Sequence, residues 1–230
     1  MKKIGMIGAM ELEVAALQSK LQNPKVTSRA NMEFYEGTLG STAVVVVRCG
    51  IGKVNAALCV QILADLFAVT HVINTGIAGS LNAKLDIGDI LISEAAIHHD
   101  VDVQIFGYAP GQVPGLPSRE FAADAAMADA AEAVCRELKL KAIRGRVVSG
   151  DQFICDSAVK ERLISEFRGD CCEMEGASIA HGAFLNGLPF LILRAISDKA
   201  DGSAEMDYPT FERAAAEHCA ALTEALVCRL

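Results

Sequence analysis

The chain has 230 residues, of which 52% are hydrophobic and 22% are charged, and its formal net charge is −8. This length and apolar share predict one compact α/β domain, residues 1–230, with a sizeable core. An acidic chain gains nothing from counterion release on a phosphate backbone, so neither nucleic acid nor an anionic membrane surface is expected as a partner.

The eight cysteines form no C-x-x-C pair, and most of them lie within apolar runs. In a chain of this length that pattern is typical of reduced thiols in a reducing cytoplasm. The first apolar run is interrupted by Glu11 and Glu13, too early for a signal peptide, and no run approaches the ~20 apolar residues of a membrane span. We therefore expect a cytoplasmic protein.

In the first half of the chain, hydrophobic periodicity predicts a strand in KKIGMIGAM, a helix in ELEVAALQSKL and a hairpin in EFYEGTLGSTAVVVVRCGIGK. It then predicts a helix in NAALCVQILADLF and a buried strand in THVINTGIAGS, which ends in a glycine-containing loop. A further strand is predicted in GDILISEAAIHH.

The second half begins with an alanine-rich helix, predicted in DAAMADAAEAVCREL. It continues with a strand and loop in KAIRGRVVSGDQFI, a helix in SAVKERLISEF, a strand in LPFLILRAISD and a long helix in YPTFERAAAEHCAALTEALVCRL. Strands alternate with helices, and several strands are apolar on both faces. The pattern therefore predicts a three-layer α/β/α sandwich around a mixed, largely parallel twisted sheet.

Polar residues or glycines follow five of the predicted strands. Glu13 follows the first, and Arg194, Ser197 and Asp198 end the last; the segments between them are NTGIAGS, SGDQFI and EMEG. Ligands of such sheets bind beyond the carboxyl ends of the strands, so the five ends predict a shared pocket. The glycines of NTGIAGS either close a tight turn or let the backbone approach a ligand. Neither a G-x-G-x-x-G fingerprint nor a Walker loop is present.

A possible metal site lies in the adjacent residues His98, His99 and Asp100. Neighbouring residues on an extended segment point in opposite directions, so they rarely bind one ion together. The sequence therefore favours a loop or interface role for this segment, and neither a metal nor a cofactor is predicted.

Glu173 and Glu175 are separated by Met174 alone, and their side chains face the same way if the segment is extended. Two like charges at one site raise a pKa or bind several hydroxyl groups. A helix N-terminus, where glutamate interacts favourably with the macrodipole, explains the same spacing. The spacing alone leaves both interpretations open.

Seven segments, taken in order, resemble those of the bacterial 5′-methylthioadenosine/S-adenosylhomocysteine nucleosidases, members of the nucleoside phosphorylase superfamily. They are IGAMELE, CGIGKVNAA, NTGIAGS, DVDVQIFGYAPGQVPGLP, SGDQFI, EMEGASIAH and RAISDKAD, and they extend through nearly the whole chain. The resemblance implies a nucleoside phosphorylase-like fold. It also implies hydrolysis of the N-glycosidic bond of 5′-methylthioadenosine, S-adenosylhomocysteine and 5′-deoxyadenosine, which releases adenine in methionine salvage and in the recycling of S-adenosylmethionine by-products.

The resemblance also implies the roles of the site residues. Glu13 is expected to be the general base that activates water, and Asp198 the general acid that protonates N7 of adenine. The implied binding residues are Glu175 on the ribose hydroxyls, Met174 under the sugar, Glu173 and Arg194 in the supporting network, Ser197 beside Asp198, Phe153 stacked on adenine, Ile154 at its edge through the backbone, Tyr208 over the 5′-alkylthio group, and Ala9, Met10, Ile51, Ala78 and Gly79 along the pocket wall.

Val103, Phe106 and Pro114 are expected to reach into the neighbouring subunit's pocket across a homodimer interface. The chain departs from the family's common TGSAGG at Ile77 and Ser80. The family serine is thought to help hold the water, so Ile77 is expected to affect the rate or the substrate preference and not the reaction class.

Three other functions remain open at this point. One is a hydrolase of 6-amino-6-deoxyfutalosine in menaquinone synthesis, another a nucleoside-binding protein without catalysis, and the third a phosphorylase. Glu13 argues against the phosphorylase, because a carboxylate repels the phosphate dianion and no arginine-rich loop accompanies it. The presence of Glu13, Glu175 and Asp198 together argues against an inactive binding protein.

Overall fold

The computed structural model describes residues 2–230; the first residue of the predicted domain lies outside this range. The strands are β1 (Lys3–Gly8), β2 (Gln22–Arg29), β3 (Met32–Leu39), β4 (Thr42–Arg48), β5 (His71–Ser80), β6 (Ile90–His98), β7 (Phe121–Ala122), β8 (Ala142–Ser149), β9 (Cys171–Glu173) and β10 (Phe190–Asp198). The helices are α1 (Glu11–Ser19), α2 (Lys53–Phe67), α3 (Ala125–Leu138), α4 (Ser157–Phe167), α5 (Gly176–Leu185) and α6 (Ala204–Arg229).

All the strands belong to one mixed sheet, as predicted. The parallel pairs are β1–β4, β1–β5, β5–β10, β6–β8 and β8–β9, and the antiparallel pairs include the β2–β3–β4 meander at one edge. β10 pairs with both β5 and β6, so the strands β5, β10, β6, β8 and β9 close into a ring. The sequence did not indicate this closure.

The helices cover both faces of the sheet, in agreement with the predicted three layers. On one face α2 and α5 bury side chains such as Leu63 and Ile179 against the strands. On the other face α1, α3 and α6 bury side chains such as Leu17, Met127 and Leu222. Their apolar residues recur at helical spacing, which places each apolar stripe on the sheet. Among the helices of residues 2–230, none is long and apolar enough to cross a membrane.

The strand β2 was not predicted. Its residues are almost all exposed, and the strand contains Pro24, so neither alternation nor burial marks it in the sequence. It forms because β3 offers an unpaired edge, and proline is tolerated on an edge strand. The two-residue strand β7 is too short for any periodicity to indicate it.

The last helix begins earlier than predicted. The sequence placed its start near Tyr208 and Pro209, but α6 begins at Ala204 and contains Pro209. Pro209 lies in the second turn of α6, where a proline removes one intrahelical N–H bond and crowds the carbonyl four residues before it; the helix nevertheless continues through this position.

The sheet brings the ends of strands from two directions to one place. β5 and β9 are antiparallel, and they pair through the last two residues of β5 and the first two of β9, Gly79 with Cys172 and Ser80 with Cys171. The ends of β5 and β10 therefore meet the ends of β8 and β9. The predicted pocket lies at this meeting point.

Candidate active site

A pocket of about 460 Å³ opens where these strand ends meet. It is lined by Ala9, Met10, Glu13, Ile51, Ile77, Ala78, Gly79, Phe153, Cys172, Glu173, Met174, Glu175, Ser197, Asp198 and Tyr208. The lining is mostly apolar, with four carboxyl groups and no lysine or arginine among its described residues.

Glu13 lies in the first turn of α1, and its carboxylate folds back over the preceding loop. One oxygen, Oε2, accepts hydrogen bonds from the backbone N–H of Ala9 at 2.6 Å and of Met10 at 2.9 Å. The other, Oε1, accepts from the N–H of Ile77 at 3.1 Å. Burial raises the pKa of Glu13, although the positive charge of Arg194 and these N–H groups act against it. A raised pKa makes this carboxylate a better base near neutral pH.

Gly76 explains how Glu13 comes so close to β5. A Cβ at this glycine would lie 2.5 Å from Glu13 Oε1 and 3.3 Å from Arg194 Nη1. Only a residue without a side chain leaves room for the carboxylate there. Of the two interpretations of the NTGIAGS glycines, close approach to a functional group therefore applies at Gly76.

Glu173 ends β9 and forms a buried ion pair with Arg194 of β10. Arg194 also contacts the side chain of Asn74, and Glu173 accepts a hydrogen bond from the hydroxyl of Ser149. Burial alone would raise the pKa of Glu173, but the guanidinium and the hydroxyl hold it below its ordinary value. Glu173 thus keeps its negative charge at the pocket lining, and its partner Arg194 lies buried and away from the lining.

Both interpretations of the Glu173–Glu175 spacing apply. Glu173 Oε2 accepts hydrogen bonds from the N–H of Gly176 at 2.8 Å and of Glu175 at 3.2 Å, so it caps the N-terminus of α5. Glu175 faces the pocket and accepts a hydrogen bond from the N–H of Gly52 at 2.7 Å through Oε1. Burial and the negative charge of Glu173 raise the pKa of Glu175 to about 8.

Asp198 ends β10 on the opposite wall of the pocket. Its Oδ1 accepts from the N–H of Ala200 at 2.8 Å, and its Oδ2 accepts from the hydroxyl of Ser197 at 2.8 Å. Burial raises the pKa of Asp198, and these two donors only partly offset it. Ser197 therefore lies beside Asp198 and donates a hydrogen bond to its carboxyl group.

Two aromatic rings border the pocket. Phe153 and Tyr208 meet edge to face with ring centroids 5.4 Å apart, and the Tyr208 hydroxyl lies 3.4 Å from the sulfur of Met10. Phe153 is half exposed. Ile154 is buried and lines a smaller cavity that shares Gly79 and Asp198 with the pocket.

The structure brings together the predicted residues of one chain's pocket, except that Ile154 lines the smaller adjoining cavity and Arg194 lies directly behind Glu173. Val103, Phe106 and Pro114 lie on the segment between β6 and β7 and do not line this pocket. The sequence assigned them to a neighbouring subunit's pocket, and that prediction stays untested.

Several residues of the site were not predicted. Cys172 lines the pocket, although its sequence suggested a core residue. Ser149 and Asn74 hold the Glu173–Arg194 pair, and the N–H of Ile77 holds Glu13. Ser149 and Asn74 are polar residues inside buried strands. This position is the one feature of the sequence that could have indicated a role for them in the site.

The histidine segment does not converge on one point. The ring of His98 packs against the rings of Phe121 and His181, with centroids 5.9 and 5.6 Å away. His99 lies over Gly150, while Asp100 pairs with Lys53. The side chains therefore diverge, as predicted for adjacent residues of an extended segment.

Comparisons with known proteins agree with this geometry. Residues 3–228 match the sequence model of the phosphorylase superfamily. The 5′-methylthioadenosine/S-adenosylhomocysteine nucleosidase of Anoxybacillus flavithermus is 42% identical over 226 residues, which cover 97% of each chain.

Two solved structures superpose closely. The nucleosidase of the same name from Neisseria meningitidis, in complex with methylthio-immucillin-A, has a TM-score of 0.97 and 39% identity over 100% of both chains. A futalosine hydrolase of Helicobacter pylori has a TM-score of 0.95 and 32% identity over 100% of this chain and 98% of that one. The chain therefore belongs to the 5′-methylthioadenosine/S-adenosylhomocysteine nucleosidase family of the phosphorylase superfamily.

Proposed function

We propose that this chain hydrolyses the N-glycosidic bond of 5′-methylthioadenosine and S-adenosylhomocysteine, and of 5′-deoxyadenosine, with water as the nucleophile. The observation that carries the proposal is that Glu13 and Asp198 face one pocket, with Glu175 on its wall. The pKa of both Glu13 and Asp198 is raised, as acid–base catalysis near neutral pH requires. The relatives' names support the substrate class.

Asp198 is the proposed general acid. Adenine is a poor leaving group until it is protonated, so a carboxylic acid that keeps its proton is needed near N7. As the bond between C1′ and N9 breaks, its electron pair passes to the adenine ring, and N7 takes the proton of Asp198. Ser197 and Ala200 hold the carboxyl in place from either side.

Glu13 is the proposed general base, and Glu175 stabilises the positive charge on the sugar. Water gives its proton to Glu13 as its oxygen bonds to C1′. Glu175 is held by Gly52 through Oε1, and its Oε2 has no hydrogen-bond partner in the described part of the chain, so this oxygen is available to the ribose hydroxyls. The positive charge that develops on the sugar lowers the pKa of Glu175, and the ionised form of Glu175 then stabilises that oxocarbenium charge strongly.

The charges of the pocket favour water over phosphate. Phosphate sites in proteins use arginine or lysine side chains. The described residues that line this pocket include neither, and the guanidinium of Arg194 already pairs with Glu173. A phosphate dianion would face carboxylates instead of cations.

Adenine release from 5′-methylthioadenosine in phosphate-free buffer tests this function. We expect full turnover without phosphate, and no increase when phosphate is added. A requirement for phosphate would show a phosphorylase, and binding without release of adenine would show a nucleoside-binding protein.

A second candidate substrate is 6-amino-6-deoxyfutalosine. The similarity to the Helicobacter pylori futalosine hydrolase supports it. The same pocket could hold both adenine nucleosides, because Asp198 and Phe153 recognise the base and not the 5′ substituent. Values of kcat/KM for both substrates would rank them.

The proposed assembly is a homodimer in which Val103, Phe106 and Pro114 complete the neighbouring pocket. Phe106 is 76% exposed and its neighbour Ile105 is 90% exposed, which is costly for apolar side chains unless a partner covers them. We also propose a cytoplasmic location, supported by the eight cysteines, which are all free.

A further inference from the structure

We propose that a polar cavity beside the active site binds the charged end of a long 5′ substituent, with Arg48 taking a carboxylate and Glu11 an ammonium group. This inference rests on the proposed function and names the residues that would distinguish between substrates with different 5′ substituents. The preferred ligand is a thioether with an α-amino-acid tail, which carries both charges.

The cavity is continuous with the active site. It has a volume of about 750 Å³ and shares Ala9, Met10 and Ile51 with the catalytic pocket. In this proposal a methylthio group ends at these shared side chains. A substituent that is longer by several atoms has to pass them, and it then enters the second cavity.

The fold places one positive and one negative side chain in this cavity. β1 and β4 are parallel, and their register pairs Gly8 with Arg48. Glu11 follows β1 at the start of α1, so both side chains lie at the same edge of the sheet. Glu11 Oε2 and Arg48 Nη1 are 3.7 Å apart, and the side chains are 60% and 56% exposed.

This pair is loose enough to exchange partners. At 3.7 Å the two groups form no hydrogen bond, so the donors of Arg48 and the acceptors of Glu11 remain available. An exposed ion pair contributes little to stability, and little is lost when each member binds a ligand charge instead. The planar guanidinium of Arg48 matches a carboxylate with two parallel hydrogen bonds.

Asn55 adds a polar group to the same wall. Its Nδ2 donates to the carbonyl of Ile51 at 2.7 Å, which fixes the amide with Oδ1 free to accept. An ammonium group that meets Glu11 could also donate to this oxygen. A tail that carries a carboxylate but no amine, such as a benzoate, would use Arg48 alone.

The test compares 5′-methylthioadenosine, S-adenosylhomocysteine and 6-amino-6-deoxyfutalosine as substrates of the full chain. In Arg48→Gln, the kcat/KM for each carboxylate-bearing substrate, divided by that for 5′-methylthioadenosine, should fall roughly three- to tenfold. The loss should appear in KM with kcat nearly unchanged, because the contact is remote from the reacting bond. In Glu11→Gln, the ratio should fall for S-adenosylhomocysteine and not for 6-amino-6-deoxyfutalosine, whose benzoate tail has no amine.

Arg136→Gln is the matched control, because Arg136 also lies 3.7 Å from a glutamate, Glu132, but on α3. It should leave every ratio unchanged. Equal losses for all three substrates in Arg48→Gln, or no loss for S-adenosylhomocysteine, would overturn the subsite while the proposed function stands. Failure of the wild type to release adenine from any of the substrates would overturn the proposed function itself.

Discussion

Glu173 and Asp198 are both buried carboxyl groups at one pocket, yet their pKa values shift in opposite directions. Burial raises both, but Glu173 has Arg194 against it, and the cation reverses the effect. Asp198 has a hydroxyl and a backbone N–H as partners, and these are too weak to do so. Glu173 is therefore kept charged, as a supporting residue, whereas the raised pKa of Asp198 favours its protonated form, as a proton donor requires.

Asp198→Asn should remove the proton donor and leave the shape of the pocket intact. We expect kcat to fall about 10²–10⁴-fold, with a much smaller change in KM, because general acid catalysis contributes on that order. Steady-state adenine release measures it. Asp129→Asn is the control, since Asp129 is exposed and pairs with Arg144 outside the pocket. Near-normal turnover by Asp198→Asn would contradict the assignment of the general acid.

Glu175 should make the stability of the protein depend on pH. Its pKa is raised to about 8 in the folded chain from 4.5. The neutral form is therefore the one that folding favours, so its contribution is complete below pH ~4.5 and is lost as the pH rises through ~8. We expect the Tm of the wild type to fall between pH 5 and 9 by more than the Tm of Glu175→Gln, which has no charge to bury. Equal falls in calorimetry would exclude this explanation.

Among the elements, β5 shows how a strand can shape a site through the side chains it lacks. Gly76 and Gly79 lie at its end, where a Cβ would meet Glu13 Oε1 at 2.5 Å and Asp198 Oδ1 at 2.7 Å. The two glycines thus allow the carboxyl groups of both proposed catalytic residues, Glu13 and Asp198, to lie against the strand. Their function is steric, since neither has the positive φ that would require glycine for its backbone.

Gly76→Ala should displace the Glu13 carboxylate and lower kcat by roughly 10²-fold, as misplacement of a catalytic group by about 1 Å does. Gly202→Ala is a matched control, because a Cβ there meets nothing within 4 Å and the residue has no positive φ. Thermal unfolding distinguishes a local displacement from a loss of fold. A fully active Gly76→Ala would show that Glu13 tolerates a shifted position.

At the scale of the whole molecule, one sheet contains strands from Lys3 to Asp198, which supports the proposal of a single domain. The pocket has walls from distant parts of the chain, because five strands close into a ring: β5, β10, β6, β8 and β9. Removal of any one of these strands would open the ring. The segment between β6 and β7 exposes the apolar side chains of Ile105 and Phe106.

Phe106→Asp tests the proposed dimer. We expect light scattering to show a shift from dimer to monomer, because a charge would replace the 76% exposed ring at the proposed contact. The kcat/KM should fall as well, since the neighbouring pocket would lose part of its wall. Leu138→Asp, at an apolar side chain 44% exposed on α3, is the control. A wild type that is monomeric at assay concentration and fully active would contradict the proposal.

The order of elements and the candidate site could be predicted from the sequence to a large extent. In a run such as FLILRAISD, the apolar residues indicate a buried strand and the final aspartate indicates a pocket residue at its end. Both features can be recognised from the same nine residues. The edge strand β2 could not be predicted in this way, because its pairing with β3 determines it and its own residues are polar. The positions of Ser149 and Asn74 beside Glu173 and Arg194 depend on contacts across the sheet.

By itself, the sequence determined the alternation of strands and helices, the residues at the strand ends and the family, because these depend on local pattern and on order along the chain. The tertiary structure alone decided the closure of the sheet, which joins strand ends from opposite directions in one pocket. It also decided which carboxyl groups stay charged, because a pKa depends on burial and on partners far away in the chain. Glu173 and Glu175 show the difference: two residues apart in the sequence, they have opposite pKa shifts because only Glu173 meets Arg194.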